Sequence, residues 1–423
     1  MLGSWSQSAL SGAAAVNQIQ FILQSFTISG LGEGLIVLGS QYWGKRSSKA
    51  IEQLTGIALI SGLIGGSLLT LWTFTAPMSL LHLFTNDPDV LSQAMTYLSI
   101  MRWTWLLFIV INILLMALRS VEIVGIASRL SILTLVMNVV LDYILIFGRM
   151  GAPALGVKGA AIATLAAYLA ELTILIFYCI SPGHSPIRFG FSALFGRINR
   201  QMVRDFLRIC LPCVVSALLF SSSVAVQTAV LGHLSSDALA ANSAASTLFQ
   251  YMKMVPVSAA SASCVIIGQT VGRNDTTQLR SLSHTLQLIY VIIGLITCSV
   301  ILLLRPVYLN LYSMTPQAAA FTWQILTILA FTGIGTAYEM PCQCGIIRGG
   351  GETAYVMKSD FIYGWLVVVP LSLAAAYLWH WPLWAVVMCL NCDQIFKCVT
   401  VGFKTNGYSW VHRLIRREEI QNS

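Results

Sequence analysis

The chain has 423 residues, of which 57% are hydrophobic and 9% charged, with a formal net charge of +8. Soluble domains carry roughly 25% charged residues, so this inventory builds no water-exposed surface, and a mean hydropathy of +0.77 places the chain among polytopic membrane proteins. The positive surplus is read as membrane orientation and contact with anionic lipid, which excludes nucleic acid as the implied partner.

A spanning helix needs about 20 mostly apolar residues. Eleven such runs occur, near 9–42, 51–81, 93–118, 122–148, 157–180, 205–231, 238–270, 281–304, 317–347, 354–378 and 383–403. They lack the alternation of barrel strands, and backbone polar groups in lipid must be satisfied within a segment, so helices are predicted throughout. The opening "MLGSWSQSAL" has neither the basic start nor the apolar core of a signal peptide. If the loop at 43–50 faces the cytoplasm, 19 of the 24 Lys and Arg fall on that side. Only Arg149, Lys158 and Arg305 fall opposite, with Arg102 and Lys253 inside spans. That asymmetry is the positive-inside pattern, and it puts the C-terminus in the cytoplasm.

Along the chain, ionisable groups inside apolar runs are the functional candidates, because each costs on the order of 2.5–3.5 kcal/mol in a bilayer. Glu33 stands a turn or two from the cytoplasmic end of the first span. Arg102, beside Trp103 and Trp105, reads as an interfacial anchor. Asp142 sits in "NVVLDYILIF" with Asn138 four residues back on the same face. Desolvation favours the neutral form of a carboxyl group, so one acid there can hold a proton, an Na⁺ or a cationic compound in turn. Glu171 lies mid-span in "AAYLAELTILIF".

The segment 181–204 interleaves Phe189, Phe191, Leu194, Phe195 and Ile198 with Arg197 and Arg200, as an amphipathic linker on the membrane surface would. Lys253 falls near the middle of its span and must pair, snorkel or line a cavity. Glu339 precedes Pro341, which is expected to interrupt its helix and free carbonyls as ligands. "RGGGET" (348–353) lacks the Lys-Ser/Thr of a phosphate loop and reads as chain reversal. Asp360 is placed near water at a helix start, and Asp393 and Lys397 are expected to satisfy each other. Trp379, His380, Trp381 and Trp384 form an aromatic belt, and the ten cysteines, among them Cys210/Cys213, Cys342/Cys344 and Cys389/Cys392, read as packing. Neither metal nor cofactor is expected.

The chain also repeats itself. "GSQYWGKR" returns as "GQTVGRN", with Gln41, Gly44 and Lys45 falling on Gln269, Gly272 and Arg273 at an offset of 228. "LGSWSQSAL" (2–10) matches "LGHLSSDAL" (231–239), Pro77 matches Pro306 and Arg119 matches Arg348, all at 229. Such a period means two homologous halves of six helices, related by a pseudo-two-fold axis along the membrane normal, with cargo expected between them. The parts are a bundle over 1–180 with five spans, the linker 181–204, a bundle over 205–404 with six, and a basic cytoplasmic tail over 405–423. The opening helix of the second copy has no counterpart in the first, so a first helix is expected to be missing and the N-terminus to lie outside.

Three stretches carry a family resemblance. "ALSGAAAVNQIQF" with "GSQYWGKR" resembles the second helix of MATE (multidrug and toxic compound extrusion) transporters. "NVVLDYILIFG" with "GVKGAAIATLAAYLAEL" resembles their fifth and sixth, and "IIRGGGETAYVMKSD" the exit of their tenth. The resemblance implies a monomeric exporter of amphipathic, often cationic organic compounds, driven by inward H⁺ or Na⁺ in the plasma membrane, by rocking of two bundles. It also implies Asp142 with Asn138 as the coupling site. Glu339, Glu171 and Lys253 are candidates for the cargo cavity or a second-half ion site. The family pairs Asp142 with an acid on the helix that is missing here, and often adds an acid on a seventh helix that this chain lacks. Two other readings stand beside it: a flippase for lipid-linked or polar metabolites, disfavoured by only two cations in the spans, and a non-transporting homologue. No nucleophile–base constellation points to an enzyme.

Overall fold

The computed structural model describes residues 2–85, 87–181, 199–310 and 315–415. Among these the regular structure is helical, and eleven helices are long and apolar enough to cross a bilayer. They are α1 (Gln7–Gly44), α2 (Ser48–Thr75), α3 (Pro88–Ser120), α4 (Gly125–Phe147), α5 (Val157–Ile180), α6 (Arg200–Leu231), α7 (Ala240–Arg273), α8 (Thr276–Leu309), α9 (Pro316–Ile347), α10 (Thr353–Leu378) and α11 (Leu383–Asn406). All eleven expected spans are present, and the chain is a multi-pass membrane protein. Several boundaries move by a few residues. The second span breaks at Ala76, after which Pro77 opens a separate short helix, Pro77–Leu81. The equivalent Pro306 instead sits inside the last turn of α8. The helix after the linker begins at Arg200; the amphipathic stretch before it lies outside the described residues.

Contacts sort the chain into two units. The first is the chain up to Gly39 with Ser47–Leu207; the second is Ser40–Arg46 with the chain from Arg208 onward. In the first, α3 is the hub, packing against α1, α2 and α5, while α5 also packs against α4. Its buried face carries Leu98, Trp105, Ile109 and Leu114, and Gly62 of α2 lets Ile109 and Ile113 approach. In the second, α9 is the hub for α7, α8 and α11. Its core gathers Leu248, Ile301, Ile325, Leu329 and Val386.

The two hubs also begin alike. Asp87 accepts from the backbone N–H groups of Asp89 and Val90, with Pro88 next. Thr315 accepts from Ala318, with Pro316 next. A capping side chain followed by proline satisfies the free N–H groups of the first turn and presets its φ.

Pro341 does not end its helix. It opens a wider i→i+5 turn, Pro341–Ile347, that absorbs the missing N–H, and α9 continues. Outward faces are apolar, as on α4, where Ile132, Leu135, Val136 and Val139 are exposed. Arg102 stacks over Phe74 at 3.8 Å beside Trp103. Trp105 is fully buried and belongs to the core instead. Arg305 stacks in the same way over Trp323, at 3.4 Å.

The echoed stretches meet each other. Ser40-x-x-x-Gly44 and Gly268-x-x-x-Gly272 are small-residue pairs of the kind that lets membrane helices touch backbone to backbone. A Cβ on Gly44 would overlap the carbonyl of Gln269, one on Gly272 the carbonyl of Gln41, and one on Gly268 the Ser40 hydroxyl. The last turn of α1 is thereby built into the second unit. Its Gln41 amide donates to the His412 carbonyl at 3.2 Å, and its Oε1 accepts from the Leu414 N–H at 2.9 Å.

The stretch after α11 is therefore no loose tail as far as Ile415. His412 N–H donates to the Gly350 carbonyl at 2.8 Å, His412 pairs with Glu352, and Trp410 is fully buried. Gly350, in the reversal after α9, lies flat against that indole. Gly272→Val must push two backbones apart, and overpacking of this kind costs about 1–3 kcal/mol. Thermal unfolding in detergent should show a clear drop for Gly272→Val. Gly125→Ala, where the new methyl meets nothing within 4 Å, should leave the midpoint in place.

Candidate functional site

The first unit assembles a polar cluster from α3, α4 and α5. Asp142 is half-buried, and its Oδ1 is enclosed without a hydrogen-bond partner. Asn138, one turn earlier on α4, reaches across to α5 and donates to Thr164 Oγ1 at 3.3 Å. Tyr97 of α3 hydrogen-bonds the same Thr164 and lies near both Asp142 and Tyr168. Glu171 is buried, hydrogen-bonds Thr134 of α4 and stands beside Tyr168. Thr164, Tyr168 and Glu171 follow at i, i+4 and i+7, which puts them on one face of α5. Asp142, Asn138 and Glu171 were legible as acids or amides in apolar runs. Tyr97, Thr164 and Tyr168 were not, though the i, i+4, i+7 spacing was there to be read.

The second unit solves a harder electrostatic problem. Lys397 of α11 places its Nζ 3.1 Å from Asp360 Oδ1 of α10 and 3.6 Å from Asp393 Oδ2 one turn away. The Ser216 hydroxyl of α6 donates to the other oxygen of Asp360. The expected Asp393–Lys397 pair is present. Asp360 is corrected: its side chain is 14% exposed and ion-paired, because the ammonium of Lys397 needs more than one carboxylate in an apolar surround. Glu339 of α9 lies among these charges, close to Lys397, Asp393, Asp360 and Lys253. It is 8% exposed, with Oε2 enclosed and without a partner.

Lys253 of α7 faces Glu339 and Asp393 and stands 5.1 Å from the centre of the Phe220 ring. Glu339 and Lys253 thus share one cluster, while Glu171 belongs with Asp142's helix in the first unit. Around the acids, neutral groups complete the helix contacts. Thr336 donates to Gln394 at 2.6 Å, and Tyr338 donates to Gln287 at 2.8 Å.

Among the described residues, each unit thus encloses a carboxylate oxygen without a hydrogen-bond partner, on Asp142 in the first and on Glu339 in the second. The first surrounds it with hydroxyls and an amide, which can turn to serve either protonation state. The second surrounds it with fixed charges.

The MatE family profile matches residues 1–144 and 212–374. The chain is 27% identical over 351 residues to a probable multidrug resistance protein NorM of Xylella fastidiosa, covering 82% of this chain and 73% of that one. It is 25% identical over 399 residues to the NorM of Rhizobium meliloti, covering 90% and 81%. A solved structure, the outward-facing conformation of a multidrug resistance MATE family transporter of the MOP superfamily, superposes with a TM-score of 0.85. It is 18% identical and covers 100% of this chain and 92% of that one, a likeness of fold.

Removing one member of a buried ion pair leaves the other uncompensated, at a cost of about 3–5 kcal/mol. Lys397→Gln, which strands both Asp360 and Asp393, should therefore lower the unfolding midpoint more than Asp360→Asn, which leaves Lys397 its second carboxylate. Denaturation of the two variants beside the parent checks the order.

Proposed function

Because the chain belongs to the MatE family, we propose that it is a secondary active exporter that moves small organic compounds, drugs among them, in exchange for inward H⁺ or Na⁺. The multidrug resistance names of its relatives support drug-type cargo. The carrying observation is the enclosed carboxylate in each unit, with Asp142 Oδ1 and Glu339 Oε2 both lacking a partner. A buried acid in a membrane is costly unless its protonation or ligation state changes in use. The two-unit division of contacts supports alternating access by two bodies.

In this mechanism Asp142 takes up the ion from outside. Asn138, Thr164 and Tyr97 reorient their hydrogen bonds around it, and cargo is released outward. Amphipathic cations are the cargo class that acids in the spans would favour. The protein works as a monomer in the plasma membrane, with its C-terminus in the cytoplasm, as the basic asymmetry of the loops supports.

The test is efflux of a cationic dye from proteoliposomes, with pH and Na⁺ gradients imposed separately. Export driven by one gradient and lost in Asp142→Asn is the expected result and names the ion. Efflux by Asp142→Asn equal to the parent would remove Asp142 from the coupling site. No efflux under either gradient, from protein shown to be folded, would sink the exporter reading.

A further inference from the structure

The second unit carries five charged side chains around one point: Lys253, Glu339, Asp360, Asp393 and Lys397. Among the described residues the other titratable neighbours are the thiols Cys342 and Cys398, near Glu339, Cys344, near Lys253, and Cys392, near Asp393, with the Tyr338 phenol alongside. These add no charge in their neutral forms. Two ammonium groups therefore face three carboxylates, and one negative charge is left over. Lys397 is held by Asp360 and Asp393, and Asp360 has its second oxygen on Ser216. Both ammonium groups also face Glu339, the acid whose Oε2 is enclosed and unpartnered.

We propose that Lys397 is a built-in cation that closes the Glu339 cluster to Na⁺ and leaves a proton as the ion it takes up. The inference rests on the reading of Glu339 as an ion-binding carboxylate, and it adds which ion. A hard metal cation needs roughly six oxygen ligands converging on one point. Here the oxygens that would supply them are spent. Both of Asp360's are engaged, Asp393 Oδ2 is held by the same ammonium, and among the described residues no group of acids converges so as to hold a metal ion. A proton needs one oxygen, and the enclosed Oε2 of Glu339 offers it. Lys397 is then the specificity-determining residue: it fills with its own Nζ the place a metal ion would take between Asp360 and Asp393.

The test uses purified full-length protein in detergent, in an Asp142→Asn background that silences the first unit. It reads saturable binding of radiolabelled Na⁺, and the unfolding midpoint in Na⁺ against choline. The Asp142→Asn protein should show neither binding nor a shift. Adding Lys397→Gln should create saturable Na⁺ binding and an upward shift in Na⁺, and adding Glu339→Gln to that pair should abolish both. In a proton titration, Glu339→Gln in the Asp142→Asn background should remove one protonation step.

Saturable Na⁺ binding by Asp142→Asn protein that Glu339→Gln removes would overturn the proposal, and so would a folded Lys397→Gln protein that gains no Na⁺ binding. If Lys397→Gln does not fold, the comparison of Asp142→Asn with Asp142→Asn/Glu339→Gln decides alone. Retention of the protonation step by Glu339→Gln would also overturn it. None of these readouts uses export, so a chain that binds ions in this pattern but moves no dye would sink the exporter reading and leave this one standing.

Discussion

Where α1 and α7 cross, no side chain fits. Each helix presents a glycine to the carbonyl oxygen of the other's glutamine, so a methyl group on either side would separate them. Hydrophobic burial cannot hold helices together in lipid, because the tails are as apolar as leucine; close backbone approach does it instead. The stretch occurs twice in the chain, and the crossing brings its two copies together. The position of the reversal at Gly350 and Gly351, and of the segment that returns to Gln41, follows from how near these two helix ends lie.

Each copy also turns about one hub helix, α3 in the first and α9 in the second. A helix touched on several sides must be anchored at its start and lined with residues of graded size. Both α3 and α9 begin with a capping side chain and proline. Beyond that shared frame the copies diverge in their chemistry. The first answers the presence of a buried acid with groups that can either donate or accept. The second answers it with counter-charges whose sum falls one short. Hydroxyl networks adapt at little cost when a proton or ion arrives. Charge networks are strongly coupled, so a change at one member is felt by all.

Much of this was legible in the residues. Eleven spans are plain because the bilayer demands long apolar runs, and Asp142, Asn138, Glu171, Glu339 and Lys253 stand out in them by polarity alone. Their partners do not, because partnership is tertiary. Nothing in "AAYLAELTILIF" says that Glu171 meets Thr134. Tyr97 and Tyr168 look like ordinary aromatic packing until their hydroxyls are seen beside Thr164 and Asp142. Asp360 was placed near water from its position at a helix start. The linear reading had no means of showing that Lys397, already one turn from an acid, draws in a second. Pro341 was expected to break α9. A wider turn accommodates it.

The bonds of Gln41 also set an order in time. Its partners at His412 and Leu414 lie 371 and 373 residues further along the chain. During synthesis α1 is made before the helices that follow it and waits with its last turn unfinished while they are made. Contacts of such long sequence separation form late and slowly. The final turn of α1 is thus completed only once the stretch beyond α11 has been released. A nascent chain that stalls short of it leaves the Gln41 amide without His412 and Leu414, an open polar surface at the end of α1. That surface would distinguish unfinished protein from finished protein without any change in the spans themselves.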